Sequence, residues 1–207
     1  MLNRQPVTIV NVGYRSTNYW VISMGASRLL VDLGWAGTMG TLRANLSRIG
    51  VPLNEIRYGL ATHYHPDHAG LAEELKRAGV PLLVLDVQVA AIPFLKTWMK
   101  PQDGYVEITE RGNVIITCPE SRAVLERIGI AGEIVPTPGH SDDSVSLVLD
   151  DGSAFTGDLT APGFIDESNR DVVTASWRRL RERGASRVYP GHGPPRPMPR
   201  LEELGLG

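Results

Sequence analysis

The sequence predicts an α+β protein in which two β-rich halves pack sheet on sheet with helices outside, a four-layer αββα sandwich. Short runs rich in Val, Ile and Leu alternate with segments of helical period along the whole chain. A faint echo relates the halves. Residues 27–32 resemble residues 152–158, each a strand ending in an aspartate, and each is followed by a helix and then a strand ending in histidine. A chain of 207 residues, 42% hydrophobic and 21% charged, suffices for one good core and is short for two. No low-complexity tract or linker divides it, so residues 1–207 are expected to form a single domain.

Taken in order, residues 6–12, 18–23 and 28–33 read as consecutive strands, with Gly13 and Gly25 at the turns. A helix over 38–49 places Leu42, Leu46 and Ile49 together and stops at Gly50. Residues 56–62 form a buried-looking strand that delivers the first histidine. A helix over 71–78 ends at Gly79, residues 82–85 return as a strand, and 87–95 are expected to be helical. The irregular segment 96–112 holds Trp98, Met99 and Tyr105 and reads as a covering loop. A strand over 113–117 precedes a helix over 120–128 closed by Gly129, and 133–137 leads to His140. Residues 144–150 and 153–156 pair as a hairpin through Asp151-Gly152. A last helix over 168–183 sets Val172, Val173, Trp177 and Leu180 on one face, and 186–189 delivers His192.

Bulk properties narrow the function. A formal charge of -2 provides no broad positive field for nucleic acid, and Arg178, Arg179, Arg181 and Arg183, interleaved with Glu182, read as a solvated helix face. Cys118 is alone in an apolar stretch, which excludes an intrachain disulfide and suggests a buried, inert thiol. The first residues, Met1 to Val12, lack a basic head, long apolar run and cleavage site, and nothing approaches eighteen uninterrupted apolar residues. The expectation is a cytoplasmic protein with a small-molecule substrate and no nucleic-acid or membrane partner.

All five histidines fall in one ligand pattern. Four of its positions lie in Thr62-His63-Tyr64-His65-Pro66-Asp67-His68-Ala69-Gly70; His140 follows in Thr137-Pro138-Gly139-His140, Asp158 in Thr156-Gly157-Asp158, and His192 in Gly191-His192-Gly193. His63, His65 and Asp67 are spaced by two, so an extended backbone points them to one side, and Pro66 favours extension before it. The chain then turns into a helix, from which His68 reaches the same cavity. Five imidazoles and two carboxylates suffice for a pair of divalent ions, a hydrolytic device.

This pattern resembles that of the metallo-β-lactamase fold superfamily over nearly the whole chain, from Val31-Asp32-Leu33-Gly34 to Gly191-His192-Gly193. The resemblance implies that His63, His65 and His140 hold a first metal and Asp67, His68 and His192 a second, with Asp158 bridging. The ions are expected to be zinc, with iron or manganese as substitutes. Asp158 stands where some antibiotic-degrading members carry cysteine, so the site is more similar to glyoxalase II and the lactone hydrolases. The implied chemistry is hydrolysis of a small thioester or lactone by a bridging hydroxide, with Asp67 as catalytic residue that orients the hydroxide and handles a proton. Only residues 193–207 follow the last ligand, so the helical C-terminal domain of glyoxalase II is not expected. The alternatives are a mononuclear-iron persulfide dioxygenase, a metal-dependent nuclease and, last, a non-enzymatic binding role. Asp32 either braces a ligand imidazole or caps a turn. Tyr64, Trp20 and Trp177 read as core, Asp142 and Asp143 as turn residues first and ligand braces second, and Trp98, Met99 and Tyr105 as pocket lining or an apolar cluster.

Overall fold

The computed structural model describes residues 6–200 and 202–204. One sheet contains, in sequence order, β1 (Val7–Asn11), β2 (Trp20–Met24), β3 (Ser27–Val31), β4 (Ile56–Leu60), β5 (Leu82–Leu85) and β6 (Asn113–Ile116). Its first three strands are antiparallel, and β3 to β6 are parallel. The other sheet comprises β7 (Gly132–Pro136), β8 (Val145–Leu149), β9 (Ser153–Gly157), β10 (Arg187–Pro190) and β11 (Arg196–Pro197), in the spatial order β11-β10-β9-β8-β7. Only β9 and β10 run parallel there. The α-helices are α1 (Met39–Arg48), α2 (Pro66–Ala69), α3 (Ala72–Arg77), α4 (Ser121–Arg127) and α5 (Arg170–Glu182).

Strand alternation builds the layers, because successive side chains point to opposite faces of a sheet. Trp20, Ile22, Leu29 and Val31 of the first sheet meet Val145, Leu147, Leu149 and Phe155 of the second in a core between the sheets. The intervening residues point outwards. Val21, Leu30, Leu82 and Val84 pack beneath Leu42 and Leu46 of α1 and Leu75 of α3. Val148, Ala154 and Val188 pack beneath Val173, Trp177 and Leu180 of α5. Three apolar interfaces separate four layers, the αββα sandwich.

Several local expectations need correction. Residues 87–95 are not an α-helix: the chain makes 3-10 turns over Asp86–Gln88 and Ile92–Trp98. Pro93 lacks an amide proton and enforces a helix start there, which breaks a continuous α-ladder. In α5, Val173, Trp177 and Leu180 are wholly buried while Val172 is 47% exposed. Adjacent residues on a helix point about 100° apart, so both valines cannot face the sheet. Arg179 and Arg181 are half-buried and donate hydrogen bonds to the backbone carbonyls of Pro136 and Pro199, while Arg178 and Arg183 remain exposed. Cys118 is half-buried, and burial raises its thiol pKa. Among the described residues no helix is long and apolar enough to cross a membrane.

Candidate metal centre

Four of the seven candidate side chains follow the C-terminal end of a strand: His63 after β4, His140 after β7, Asp158 after β9 and His192 after β10. Backbone hydrogen bonds close the seam between the sheets here, from Val145 N to Thr62 O (2.8 Å) and from Asn18 N to Gly191 O (2.7 Å). His65 is extended (φ −92, ψ 160), as the following proline requires, and Pro66 opens α2. Asp67 is therefore already helical, so the extended run ends at His65 rather than at Asp67.

The seven side chains converge. His65 Nδ1 lies 3.1 Å from His63 Nε2 and 3.0 Å from His140 Nε2. Asp67 Oδ2 lies 3.3 Å from His68 Nε2 and 3.2 Å from His192 Nε2. Asp158 faces both clusters: Oδ1 is 3.4 Å from His68 Nε2, and Oδ2 is 3.3 Å from His192 Nε2 and 3.8 Å from His140 Nε2. His63 and His68 are buried, whereas His140 and His192 are exposed, so the centre opens on their side.

Hydrogen bonding alone does not account for this packing. His65 Nδ1 carries one proton or one lone pair, which cannot serve both His63 Nε2 and His140 Nε2. His68 Nε2 and Asp158 Oδ1 are buried without a hydrogen-bond partner, a costly arrangement unless a cation joins them. Tetrahedral bonds of about 2.0–2.1 Å place donor atoms roughly 3.3 Å apart, close to the separations found here. The residues fit a divalent ion. Three groups meet the requirement among the described residues: His63, His65 and His140; His63, His68 and Asp158; and Asp67, His68 and His192.

Protonation follows from the surroundings. Burial, then the neighbouring imidazoles, holds His63 well below the usual histidine range, leaving it neutral as a ligand must be. Burial also opposes a charge on His68, but Asp32, Asp158 and Asp67 outweigh it and raise its pKa well above normal. A cation would displace that proton. Burial would raise Asp67 and Asp158, yet His68 overcomes it in both and holds them below the usual carboxylate range.

Asp32 sits beneath this cluster. Its Oδ1 accepts hydrogen bonds from Thr62 N and Thr62 Oγ1, both at 2.8 Å, and its Oδ2 lies 3.0 Å from His68 Nδ1, a charge contact set off the ring N–H direction. Thr62 Oγ1 is 3.2 Å from His63 Nδ1, so one carboxylate braces two ligands. Asp32 holds φ +62, uncommon for a non-glycine residue.

Other braces come from elsewhere in the chain. Thr17 Oγ1 donates to Asp67 Oδ2 (2.9 Å), and Ser16 O lies 2.8 Å from His192 Nδ1. Asp143, read as a turn residue, accepts the amide of Tyr64 at 2.7 Å and so fixes the backbone between His63 and His65. Buried Gln88 donates to the carbonyls of Ala61, Thr62 and Asp143. Gly191 permits the close approach of its strand: a Cβ there would lie 2.3 Å from Asp158 Oδ1 and 2.6 Å from His68 Cε1. Tyr64, Trp20 and Trp177 are core residues. Tyr105 packs against the core, while Trp98 is 63% exposed with its ring 5.7 Å from that of His65.

A family model described as the metallo-beta-lactamase superfamily matches residues 12–192. The chain belongs to that superfamily. Within it, the chain is 30% identical over 199 residues to a "probable metallo-hydrolase" of Methanocaldococcus jannaschii, covering 87% of this chain and 89% of that one. It is 28% identical to the "Beta-lactamase-like protein 2 homolog" of Caenorhabditis elegans, over 87% of this chain and 57% of the relative. An atrochrysone carboxyl ACP thioesterase of Claviceps purpurea is 26% identical, over 87% of this chain and 52% of its own. The chain thus spans about half the length of several curated relatives it matches. A metallo-beta-lactamase family protein of Thermus thermophilus superposes with TM-score 0.72 at 20% identity, over 97% of this chain and 77% of that one. A protein solved in a di-iron-bound form superposes with TM-score 0.68 at 24% identity, over 97% and 96%. Members of this metallo-hydrolase superfamily bind divalent metals, and the present chain carries His/Asp clusters that could hold them.

Proposed function

We propose that the chain is a hydrolase that holds two divalent ions, zinc by preference, and cleaves a small thioester, lactone or other ester. The position of Asp158 carries this reading: its oxygens lie 3.4 Å from His68 and 3.3 Å from His192, and the second of them also lies 3.8 Å from His140, which belongs with His63 and His65. His63, His65 and His140 would hold one ion, Asp67, His68 and His192 the other, and Asp158 both. Ions held so supply Lewis acidity, lowering the pKa of water toward 7 and polarising an acyl oxygen. The relative named as a thioesterase supports the acyl-transfer class.

The remaining work falls to the chain. Hydrolysis forms a bond from water oxygen to the acyl carbon, breaks the C–S or C–O bond, and passes the proton to the departing atom. Asp67, oriented by the Thr17 hydroxyl, would accept that proton and return it to the leaving sulfur or oxygen. Asp32 keeps His68 oriented, and buried Gln88 and Asp143 hold the His63–His65 backbone. The substrate is a small molecule, because the charge of -2 offers no field for a polyanion.

Elemental analysis of purified protein, followed by a screen of thioesters, lactones, β-lactams and RNA with oxygen uptake recorded, tests this. Close to two metal ions per chain and ester-type turnover independent of oxygen are expected. Full activity without a transition metal, iron-dependent oxygen uptake matching turnover, or cleavage of RNA alone would overturn it.

A further inference from the structure

A cavity of about 590 Å³ adjoins the centre, lined by Arg15, Trp35, Pro66, Trp98, Met99 and Lys100 among others. Pro66 lies between His65 and Asp67, so the cavity abuts the ligand run itself. Its volume suits the non-reacting arm of a small substrate. Trp98 presents a large exposed aromatic surface next to His65, unusual unless a ligand covers it.

Two cationic side chains, Arg15 and Lys100, and one carboxylate, Asp103, line this cavity. Arg15 has φ +59, an uncommon backbone state outside glycine that fixes the turn between β1 and β2. Its guanidinium lies 5.4 Å from the Tyr14 ring centroid and 5.5 Å from that of Trp35. Among the described residues it has no carboxylate partner, so stacking positions it while its N–H donors stay free. The neighbouring Ser16 carbonyl lies 2.8 Å from His192 Nδ1, tying this turn to the centre. The Lys100 ammonium is likewise unpaired among the described residues. The nearby acid, Asp103, already accepts the Lys100 backbone amide at 2.7 Å. The N-terminal turn of α1 borders the cavity with no acidic residue, and the Thr38 hydroxyl bonds Trp35 O (2.6 Å) instead of capping it.

We propose that the substrate's non-reacting arm lies between Trp35 and Trp98 and ends in an anionic group, a carboxylate or phosphate, held by Arg15 with Lys100. This rests on the hydrolase reading above. Arg15 then acts as a positioning and specificity residue. A planar guanidinium presents paired donors to either anion.

The test uses the metal-loaded full chain and three thioesters of equal length, ending in a carboxylate, a phosphonate or a neutral amide. At least one anionic member should be favoured over the amide by about tenfold or more in kcat/KM, mainly through KM. The better anion identifies the arm. Arg15→Ala should collapse that ratio, Arg15→Lys recover part of it, and Arg48→Ala, at the far end of α1, leave it unmoved. Equal rates on all three, or a ratio retained in Arg15→Ala, would overturn the inference and leave the hydrolase reading standing. Should no member turn over, the thioester form of the hydrolase reading fails separately. The free acids are then titrated against tryptophan fluorescence: saturable quenching lost in Arg15→Ala supports the anion site, and its absence refutes it. Should Arg15→Ala not fold, Lys100→Ala and added salt must each weaken the anionic member selectively, or the inference falls.

Discussion

Replacing Asp32 by asparagine keeps the outline of the side chain and removes one negative charge. Asparagine also tolerates φ +62, so the backbone has no new reason to move. If its oxygen keeps both Thr62 hydrogen bonds, its amide N–H groups face the His68 Nδ1 position 3.0 Å away. If the amide is flipped, they face Thr62 N and Oγ1 instead. His68 escapes the first conflict only by moving its proton to Nε2, the atom offered to the metal. Leaving buried donors opposed costs about 1–3 kcal/mol, comparable to the roughly 10–100-fold loss of affinity typical of such outer braces. Competition against a chromophoric chelator should show the ion at Asp67, His68 and His192 weakened by that factor, with circular dichroism unchanged. An Asp32→Asn protein that binds both ions within about twofold of wild type would refute the argument.

Asp158→Asn should weaken the second ion more than the first and lower turnover by orders of magnitude, measured by metal content and initial rates; full activity would remove its bridging role. Trp177→Ala empties a fully buried site whose indole N–H bonds Thr160 O (2.9 Å), so urea unfolding should show a loss of about 3–5 kcal/mol. Val172→Ala, at 47% exposure, should change stability by less than about 0.5 kcal/mol. Burial would raise the Glu73 carboxyl, but the Thr109 amide and Lys76 outweigh it and hold it below the usual range. A depressed carboxylate contributes its stability above the unfolded value of 4.5 and loses it as pH falls through the folded value. The gap between wild type and Glu73→Gln should therefore close in acid; a gap constant from pH 7 to 3 would contradict the contact.

The convergence of seven His and Asp side chains was legible because residue types with few other uses recur in a fixed order, His63 to His192. The two halves were legible because β3–α1–β4 and β9–α5–β10 repeat one arrangement, a parallel pair around a helix, with Asp32 and Asp158 at matching strand ends. Asp32 and Asp143 read as braces only beside a turn reading, and the other braces were not legible at all. Ser16 acts through a carbonyl, Gln88 binds three carbonyls, and Asp143 meets an amide 79 residues away, contacts that composition does not encode. Residues 87–95 misled because apolar spacing does not separate an α-helix from 3-10 turns once Pro93 intervenes. Val172 misled because two adjacent apolar residues compete for one face.

The distribution of ligands between the sheets also sets when an ion can be captured. Each of the three groups that could hold a metal includes a residue from the second half, His140, Asp158 or His192. From His68 to His192 the ribosome must add 124 residues, about 6–25 s of synthesis at typical rates. During that interval His63, His65, Asp67 and His68 emerge without the residues that complete their groups, and an ion bound to such a partial set would exchange readily. On the two-ion reading proposed above, loading would be a late event in the life of the polypeptide, governed by which ions surround the finished protein rather than by those present when its first histidines are made.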